Sequence, residues 1–495
     1  FGSSPSGSSR CTSSPRSATA RPGARSTAPA SWSNRMAPAA VCDALVIGAG
    51  AAGVGAARAL RDAGLASVVV LEARQRIGGR AHTSDELDSG VPLDHGAQWV
   101  HGYSKQHPMI RLSSAAGIEL LREGRTSCET VDGGGGGPVP SGSRRLASLH
   151  FGHLESLVRS HASGLGEGDC SWGQALVRAR ARQLGDAGGQ AGEAAAGAEL
   201  DAALSSLVAA EGADRELQQA LLHLEVYGRL ENYEGARIDR WSVKNGHKAT
   251  CLDGPNAELR GGYGSLIAEL GRGLDLRLGH RVTAIEYPTD DDDGPGGSPQ
   301  VSVHCAVAAA GVEGEEEARR VYTAPRCVVA LPLGVLRSGS VRFHPELPAP
   351  KASSMAALGV ALMDKVEVLW DRRWWPEGVG SIRVASRAST PCYHPWPWFL
   401  EPPAARQHPL GWAVLVCLVT GQFAEEVEAM EDGAVAGACV AALRRAHPGA
   451  SVPEPRAVHV TRWGRDVHAL GSWTYYAAGS GPPDSQALAE PVGLG

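Results

Sequence analysis

The sequence predicts a mixed α/β protein in which a Rossmann-like dinucleotide-binding domain is interleaved with an α+β second domain. Three observations carry this. Residues 44–60, ALVIGAGAAGVGAARAL, read as a short buried strand, a glycine turn and an Ala-rich helix. SVVVLEA at 67–73 follows as a second buried strand and completes a βαβ unit. Further strand-like runs at 326–336 and 412–421 lie far along the chain, separated by helical stretches, so the segments alternate rather than forming two blocks.

Gly48, Gly50 and Gly53 form a GxGxxG between the first strand and the helix. Missing side chains there let backbone N–H groups approach a pyrophosphate at the positive helix end. Glu72 closes the next strand, ~20 residues further on, where it can accept hydrogen bonds from a ribose hydroxyl. A tight turn in any α/β protein would share the glycines. Strand, turn, helix, strand and acid in register point to dinucleotide binding.

Between residues 133 and 142 a Gly-, Pro- and Ser-rich run reads as a surface loop, and from Ser171 to Tyr227 the chain is Ala-rich, charged and helical. GGYG at 261–264 leads into the helix SLIAELGRGL, and LRLGHRVTAIEY at 276–287 reads as paired strands. The acidic and glycine-rich stretch from Asp290 to Ser298 is a solvated loop. RCVVALPLGVL at 326–336 reads as a buried strand breaking at Pro332, and KVEVLWDRRWWPEG at 365–378 as a strand ending in an aromatic cluster. WAVLVCLVTG at 412–421 is a strand, and the amphipathic helix at 434–449 is stopped by Pro448.

Composition narrows the chemistry. The chain has 495 residues, room for more than one domain and a large core. Its 47 basic and 53 acidic residues, net charge -6, offer no positive field for a nucleic-acid backbone. Ten cysteines without a CxxC pair argue against a disulfide framework and a zinc site, so no metal is expected and the compartment reads as reducing. No apolar stretch approaches the ~20 residues that span a bilayer, so no membrane is expected. Before Asn34 the sequence is rich in Ser, Arg, Ala and Pro and has no acid, and the chain begins at Phe1. Two readings stand: an organelle transit peptide, or residues upstream of a true start at Met36. The location expected is intracellular, in the cytoplasm or an organelle.

EARQRIGGRAHT at 72–83 places a second glycine pair, Gly78 and Gly79, beside Arg80, suited to close backbone approach and to a guanidinium on phosphate. With LDHGAQWVHG at 93–102, LPLGVL at 331–336 and RGGYGSLI at 260–267, the chain resembles the flavin-containing amine oxidase family over roughly residues 43–492. That family includes polyamine oxidases, monoamine oxidases and flavin-dependent histone lysine demethylases, and these phrases are most similar to plant and algal polyamine oxidases. The resemblance implies non-covalently bound FAD. It implies FAD contacts from Gly48, Gly50, Ala52, Gly53, Glu72, Arg74, Gly79, Arg80, Gln98, Trp99 and the backbone of Val282. It places Lys365, in MDKVEVLWDRRWWP, near flavin N5, where the lysine holds a water while hydride leaves the carbon next to the substrate amine. The products would be an aldehyde, a smaller amine and, with oxygen as acceptor, hydrogen peroxide.

His101 in WVHG resembles a substrate-pocket histidine of polyamine oxidases; a satisfied histidine on a turn is the other reading. RWGRDVHALGSWTYYAAGS at 462–480 resembles the segment that brings aromatics over the flavin, which makes Trp473 and Tyr475 candidates for an amine-orienting wall. Where monoamine oxidases carry a flavin-linked cysteine this chain has Ser472. The domain boundaries implied are a disordered or targeting segment at 1–40 and FAD-binding segments at 41–103, 246–340 and from 461. The substrate domain then occupies 104–245 and 341–460. A family phrase resembling FFAGE is expected after Val492, so the chain reads as C-terminally incomplete. The alternatives are a histone lysine demethylase-like oxidase and, from another class, a non-catalytic, flavin-poor remnant. No oligomeric state is implied.

Overall fold

Four short strands that run parallel support the glycine turn. The computed structural model describes residues 40–104, 107–122, 126–185, 196–208, 214–246, 254–288, 300–307, 318–406 and 410–492. The expected N-terminal segment and the Asp290–Ser298 loop lie outside them. β1 (Ala44–Ile47) runs through the glycine turn into α1 (Ala51–Asp62), which returns to β2 (Val68–Leu71). β3 (Asp275–Arg277) and β4 (Cys327–Val329) complete the order β3-β2-β1-β4, every neighbour parallel. Every residue of β1 and β2 is buried, which is why they read as continuous apolar runs rather than as alternation. Val46 and Val70 pack with Val54 and Ala57 of α1, while Leu45, Ile47, Val69 and Leu71 pack on a second sheet through Val282, Ile285, Val303 and Tyr322.

Two strand expectations need correction. The segments within 276–287 do not pair with each other: β3 joins the parallel sheet, and His280–Glu286 pairs with Val301–Val307. Gly279, at φ +68°, turns the chain between the sheets. β4 is an edge strand, and its Val328 and Val329 are 36% and 39% exposed rather than buried. After it, Pro332 stands at the N-cap of a short helix, Leu333–Arg337.

The helical layer contains α2 (Ser141–Ser163), α3 (Trp172–Gln183) and α4 (Arg215–Val226), with a further helix at Ala196–Ser205. α3 begins at a capping box: Ser171 Oγ accepts from the Gln174 N–H, and Gln174 Oε1 accepts from the Ser171 N–H. Phe151, Leu154, Trp172, Leu176, Leu204, Leu222 and Trp241 share the core of this layer. The 23-residue α2 was not foreseen and begins inside the run read as a loop.

The largest sheet has seven strands. β5 (Met363–Trp370) lies between β6 (Ala413–Thr420) and the edge strand β7 (Ala457–Val460), antiparallel to both. Val366, Val368 and Trp370 pack with Phe423 and Val427 of the helix Gly421–Ala429 and with Val435, Cys439 and Leu443 of α5 (Asp432–Ala446). Lys365 and Glu367, at the alternate positions, therefore face the other way, toward the dinucleotide sheet. Among the described residues no helix is long and apolar enough to cross a membrane.

Gly53 ties α1 to the turn most tightly: a Cβ added there would lie 1.8 Å from the Gly48 carbonyl oxygen. Gly53→Ala should therefore destabilise the protein by at least ~1–3 kcal/mol and lower its flavin content together with its melting temperature. Thermal melts and the flavin absorbance of the purified variant check this; wild-type values for both would show that the turn relaxes without cost.

Candidate functional site

A cavity of about 1070 Å³ begins at the glycine turn and ends at Lys365. At its near end Gly48 has φ +94°, and a Cβ there would meet the Ala330 carbonyl oxygen at 2.9 Å. The helix N-cap is Gly50, with no side-chain cap, and Ala51 and Ala52 line the cavity. The free N–H groups of the first turn of α1 thus face the space where an anion would lie. Gly78 and Gly79 approach the same turn: Gly78 bridges Gly50, and both have positive φ. Glu72 is buried, with its carboxylate fixed by the Ala49 N–H at 2.7 Å and the Arg74 N–H at 2.9 Å, and it lines the cavity.

The basic residues divide by their partners. Arg74 pairs with Asp466 at 2.5 Å. Arg80 also lines the cavity but has, among the described residues, no carboxylate partner; its Nη1 donates to the Ser472 carbonyl at 2.7 Å. Burial, and then the neighbouring Arg74, hold its pKa below the ordinary guanidinium value. A buried cation without a counter-ion is costly unless an anion arrives. Glycine turn, open helix terminus, fixed acid and unmatched guanidinium all fit a bound dinucleotide diphosphate.

Lys365 stands at the far end, 4% exposed. Its Nζ donates to the Asp94 carbonyl at 2.5 Å and to Gln98 Oε1 at 2.7 Å, and sits 5.5 Å from the centre of the Trp99 ring. Gln98 is in turn oriented by Glu258, whose Oε1 accepts from Gln98 Nε2 at 3.0 Å. Burial lowers the Lys365 pKa, against the opposing pull of Glu367, Asp94 and Glu258. With both hydrogen bonds going to acceptors, a neutral amine uses its two N–H groups and keeps its lone pair for the cavity.

His101, exposed, lines the same cavity, with Nδ1 3.0 Å from Asn256 Oδ1. Val282 and Trp473 line it as well, and the Trp473 Nε1 donates to the Glu234 carbonyl at 2.9 Å. Tyr475 does not line it, which corrects its place beside Trp473. Its strand pairs with Gly359–Val360, its ring lies over Gly359, where a Cβ would fall 2.2 Å away, and it packs against the helical core. Gly53 is likewise off the cavity wall and acts by bringing the helix onto the turn.

The cavity wall also holds Asn232 and Tyr233, which sequence reasoning missed. They follow a π-helical turn, Tyr227–Glu231, in which the Tyr227 hydroxyl donates to the Leu418 carbonyl at 2.8 Å. Such turns redirect a helix into a site, but no spacing in YGRLENY announces one. Asp94, His95, Glu258 and Glu367 were missed for a different reason: their contacts to Lys365 and to each other arise only in three dimensions.

A family model described as flavin containing amine oxidoreductase matches residues 51–495. Polyamine oxidase 2 of Arabidopsis thaliana is 31% identical over 88% of this chain and 78% of its own. Polyamine oxidase 4 of Oryza sativa subsp. japonica is 30% identical over 90% and 81%. Lysine-specific histone demethylase 2 of Homo sapiens is 26% identical over 90% of this chain but 49% of its own. Among solved structures, putrescine oxidase with putrescine bound shares the fold at a TM-score of 0.58, with 16% identity over 89% of both chains.

On the opposite face of β5, Asp364 is fully buried. Its Oδ1 accepts from the Thr461 hydroxyl at 2.7 Å and the Trp463 N–H at 2.8 Å. Burial and the nearby Glu428 raise its pKa from 3.8 to about 7. Because the folded value lies above the unfolded one, its contribution is complete below pH 3.8 and is lost as the pH rises to about 7. Asp364→Asn should remove that slope. The melting temperature of the variant relative to wild type should climb across this window and level off above it; a difference that does not change with pH would refute the assignment.

Proposed function

The chain belongs to the flavin-containing amine oxidoreductase family, and from that premise we propose that it oxidises a polyamine at a carbon next to a secondary amine. The observation that carries this reading is the buried Lys365, held by two acceptors at the far end of a cavity whose near end is built for a dinucleotide. The polyamine oxidases it resembles are matched over 78–81% of their length, against 49% for the human demethylase, which favours the polyamine reading over the demethylase one.

The cavity would hold FAD, which would supply the hydride acceptor for oxidising the amine to an imine, open to hydrolysis by water, and the route by which oxygen becomes peroxide. The chain's own residues do the rest. Glu72 would accept from the ribose hydroxyl, and the first turn of α1 with Arg80 would neutralise the diphosphate. Lys365 would hold a water beside the flavin, and Gln98 fixes the position of its Nζ.

Electrostatics favour a neutral reacting amine. Glu72, at the dinucleotide end, is the one carboxylate among the described residues lining the cavity. Around the Lys365 end the wall carries Trp99, His101, Asn232, Tyr233 and Trp473. Aromatic faces attract a cationic amine by roughly 0.5–2 kcal/mol, weakly enough that it can give up its proton before the C–H bond breaks. His101, exposed at this wall, can accept a hydrogen bond from the amine or from a water that takes the proton.

Lys365→Met should retain FAD yet slow flavin reduction by spermine or spermidine by ~10²-fold or more; anaerobic stopped-flow measures this, and an unchanged rate would overturn the role. Glu72→Ala should weaken FAD retention by ~10-fold or more, the loss expected for charge-assisted hydrogen bonds, and full flavin content after dialysis would count against the ribose contact. A panel of spermine, spermidine, their acetylated forms and a methylated histone peptide, with peroxide as readout, identifies the substrate. Turnover of the peptide alone would replace this reading with the demethylase one.

A further inference from the structure

Beside Lys365 the structure brings together three residues distant in sequence. Glu367 lies two positions along β5 on the same face, and its side chain has no solvent exposure. Both its oxygens approach His95 Nδ1, at 3.0 and 2.9 Å, and Oε2 also approaches His459 Nδ1 at 3.0 Å. The other nitrogen of His95, Nε2, faces the Ser84 carbonyl at 3.1 Å and Ser84 Oγ at 2.9 Å. That hydroxyl spends its own proton on Glu86 Oε1, at 2.8 Å.

His95 therefore meets hydrogen-bond acceptors on both sides. A carboxylate and a carbonyl cannot donate, so making both contacts at once puts a hydrogen on each ring nitrogen. The His459 contact to Glu367 needs a single N–H. The pair His95 and Glu367 then carries no net charge. Burial alone would push the Glu367 carboxyl up, but the hydrogen bonds from His459 and His95 hold it below the ordinary carboxylate value.

We propose that His95, supported by Glu367 and His459, is a positioning residue for Lys365: its imidazolium cancels the Glu367 charge at the neighbouring strand position, so the lysine works as a neutral amine. This rests on the amine-oxidase reading of the site. Three carboxylates surround Lys365: Glu367 from its own strand, Asp94 from the segment before Gln98, and Glu258 from the strand Ala257–Leu259. All three favour the ammonium form, and Glu367 heads them. The residues facing it across the sheet, Leu418 on β6 and the Trp99 ring, carry no charge.

The groups around His95 are consistent with this. His82 stacks at 5.2 Å between ring centroids and is held neutral, its pKa lowered to about 4 by burial, by Arg76 and by His95 itself. Glu86, on the outer side, is held below its ordinary carboxylate value by the hydrogen bond from Ser84. A mechanical coupling adds to the electrostatic one. The residue before His95 is Asp94, whose carbonyl accepts from Lys365, and the residue after it is Gly96, where a Cβ would lie 1.8 Å from the Arg80 carbonyl oxygen. A shift of the His95 ring is thus passed to the acceptor that fixes Lys365.

The chain has five lysines, at 105, 244, 248, 351 and 365, so the holoenzyme labelled with 13C at lysine Cε gives a spectrum simple enough to titrate. The signal absent from Lys365→Met identifies the residue, and its pH midpoint needs no substrate. His95→Leu leaves Glu367 uncompensated and should move that midpoint up by ~1–2 pH units, the shift expected for a charge at close range. Glu367→Gln removes both charges, because His95 then gives up its second proton, and should move it by less than half as much. The double variant His95→Leu/Glu367→Leu should restore the wild-type midpoint. The acid limb of flavin reduction by spermine should move in parallel.

A merely structural role would lower the rate equally at all pH values and leave the Lys365 midpoint in place, which would overturn the proposal. So would a midpoint that shifts when the wild-type enzyme is treated with a chelator, since a divalent cation would then occupy the place of the proton. If spermine fails to reduce the flavin while the midpoints move as stated, the polyamine reading falls and the positioning role stands.

Discussion

The site depends on the burial of one amine between two parts of the fold. Lys365 belongs to the seven-stranded sheet, yet both its acceptors, the Asp94 carbonyl and Gln98 Oε1, come from the segment that leaves the dinucleotide sheet. The hydrogen bonds join the two parts at the Lys365 end of the cavity. A lysine side chain brought out of water in this way must be matched by nearby acceptors or lose its charge, and the arrangement uses both answers at once. The two acceptors satisfy the N–H groups, and burial works against the third proton.

The same strand shows how much acidity this scheme tolerates. β5 carries Asp364 on one face and Glu367 on the other, either side of Lys365, and both are fully buried. They resolve the cost differently. Asp364, near Glu428, retains its proton into the neutral range. Glu367 remains ionised because two imidazoles reach it. A strand of hydrophobic neighbours with Asp, Lys and Glu among its first five residues is a poor design for stability alone, and this end meets the cavity through Met363 and Lys365.

Much of the fold was legible because the dinucleotide unit is local. The glycines, the apolar runs of β1 and β2 and the acid at position 72 lie within 30 residues, and each has a backbone reason that spacing reveals. Lys365 was legible through its flanking phrase. α2 was missed although Ala147, Phe151, Leu154, Val158 and His161 repeat at helical spacing, because Gly, Ser and His between them hide the stripe. His95, Glu258 and His459 were not legible at all: each sits in a different segment, and what brings them to the site is a contact with a residue more than 90 positions away.

Tyr475 and Trp473 show why parity arguments weaken at the edges of elements. The resemblance implies one wall for both rings, and two residues apart in a regular strand would share a face. The strand itself spans only Thr474–Tyr475, and Gly471, at φ +124°, turns the chain just before it, so Trp473 is not bound by the strand's alternation. Gly359 then offers bare backbone on which the Tyr475 ring lies, packed against the helical core rather than over the cavity. Trp473 lines the cavity, while Tyr475 docks the segment that carries it onto the helical layer.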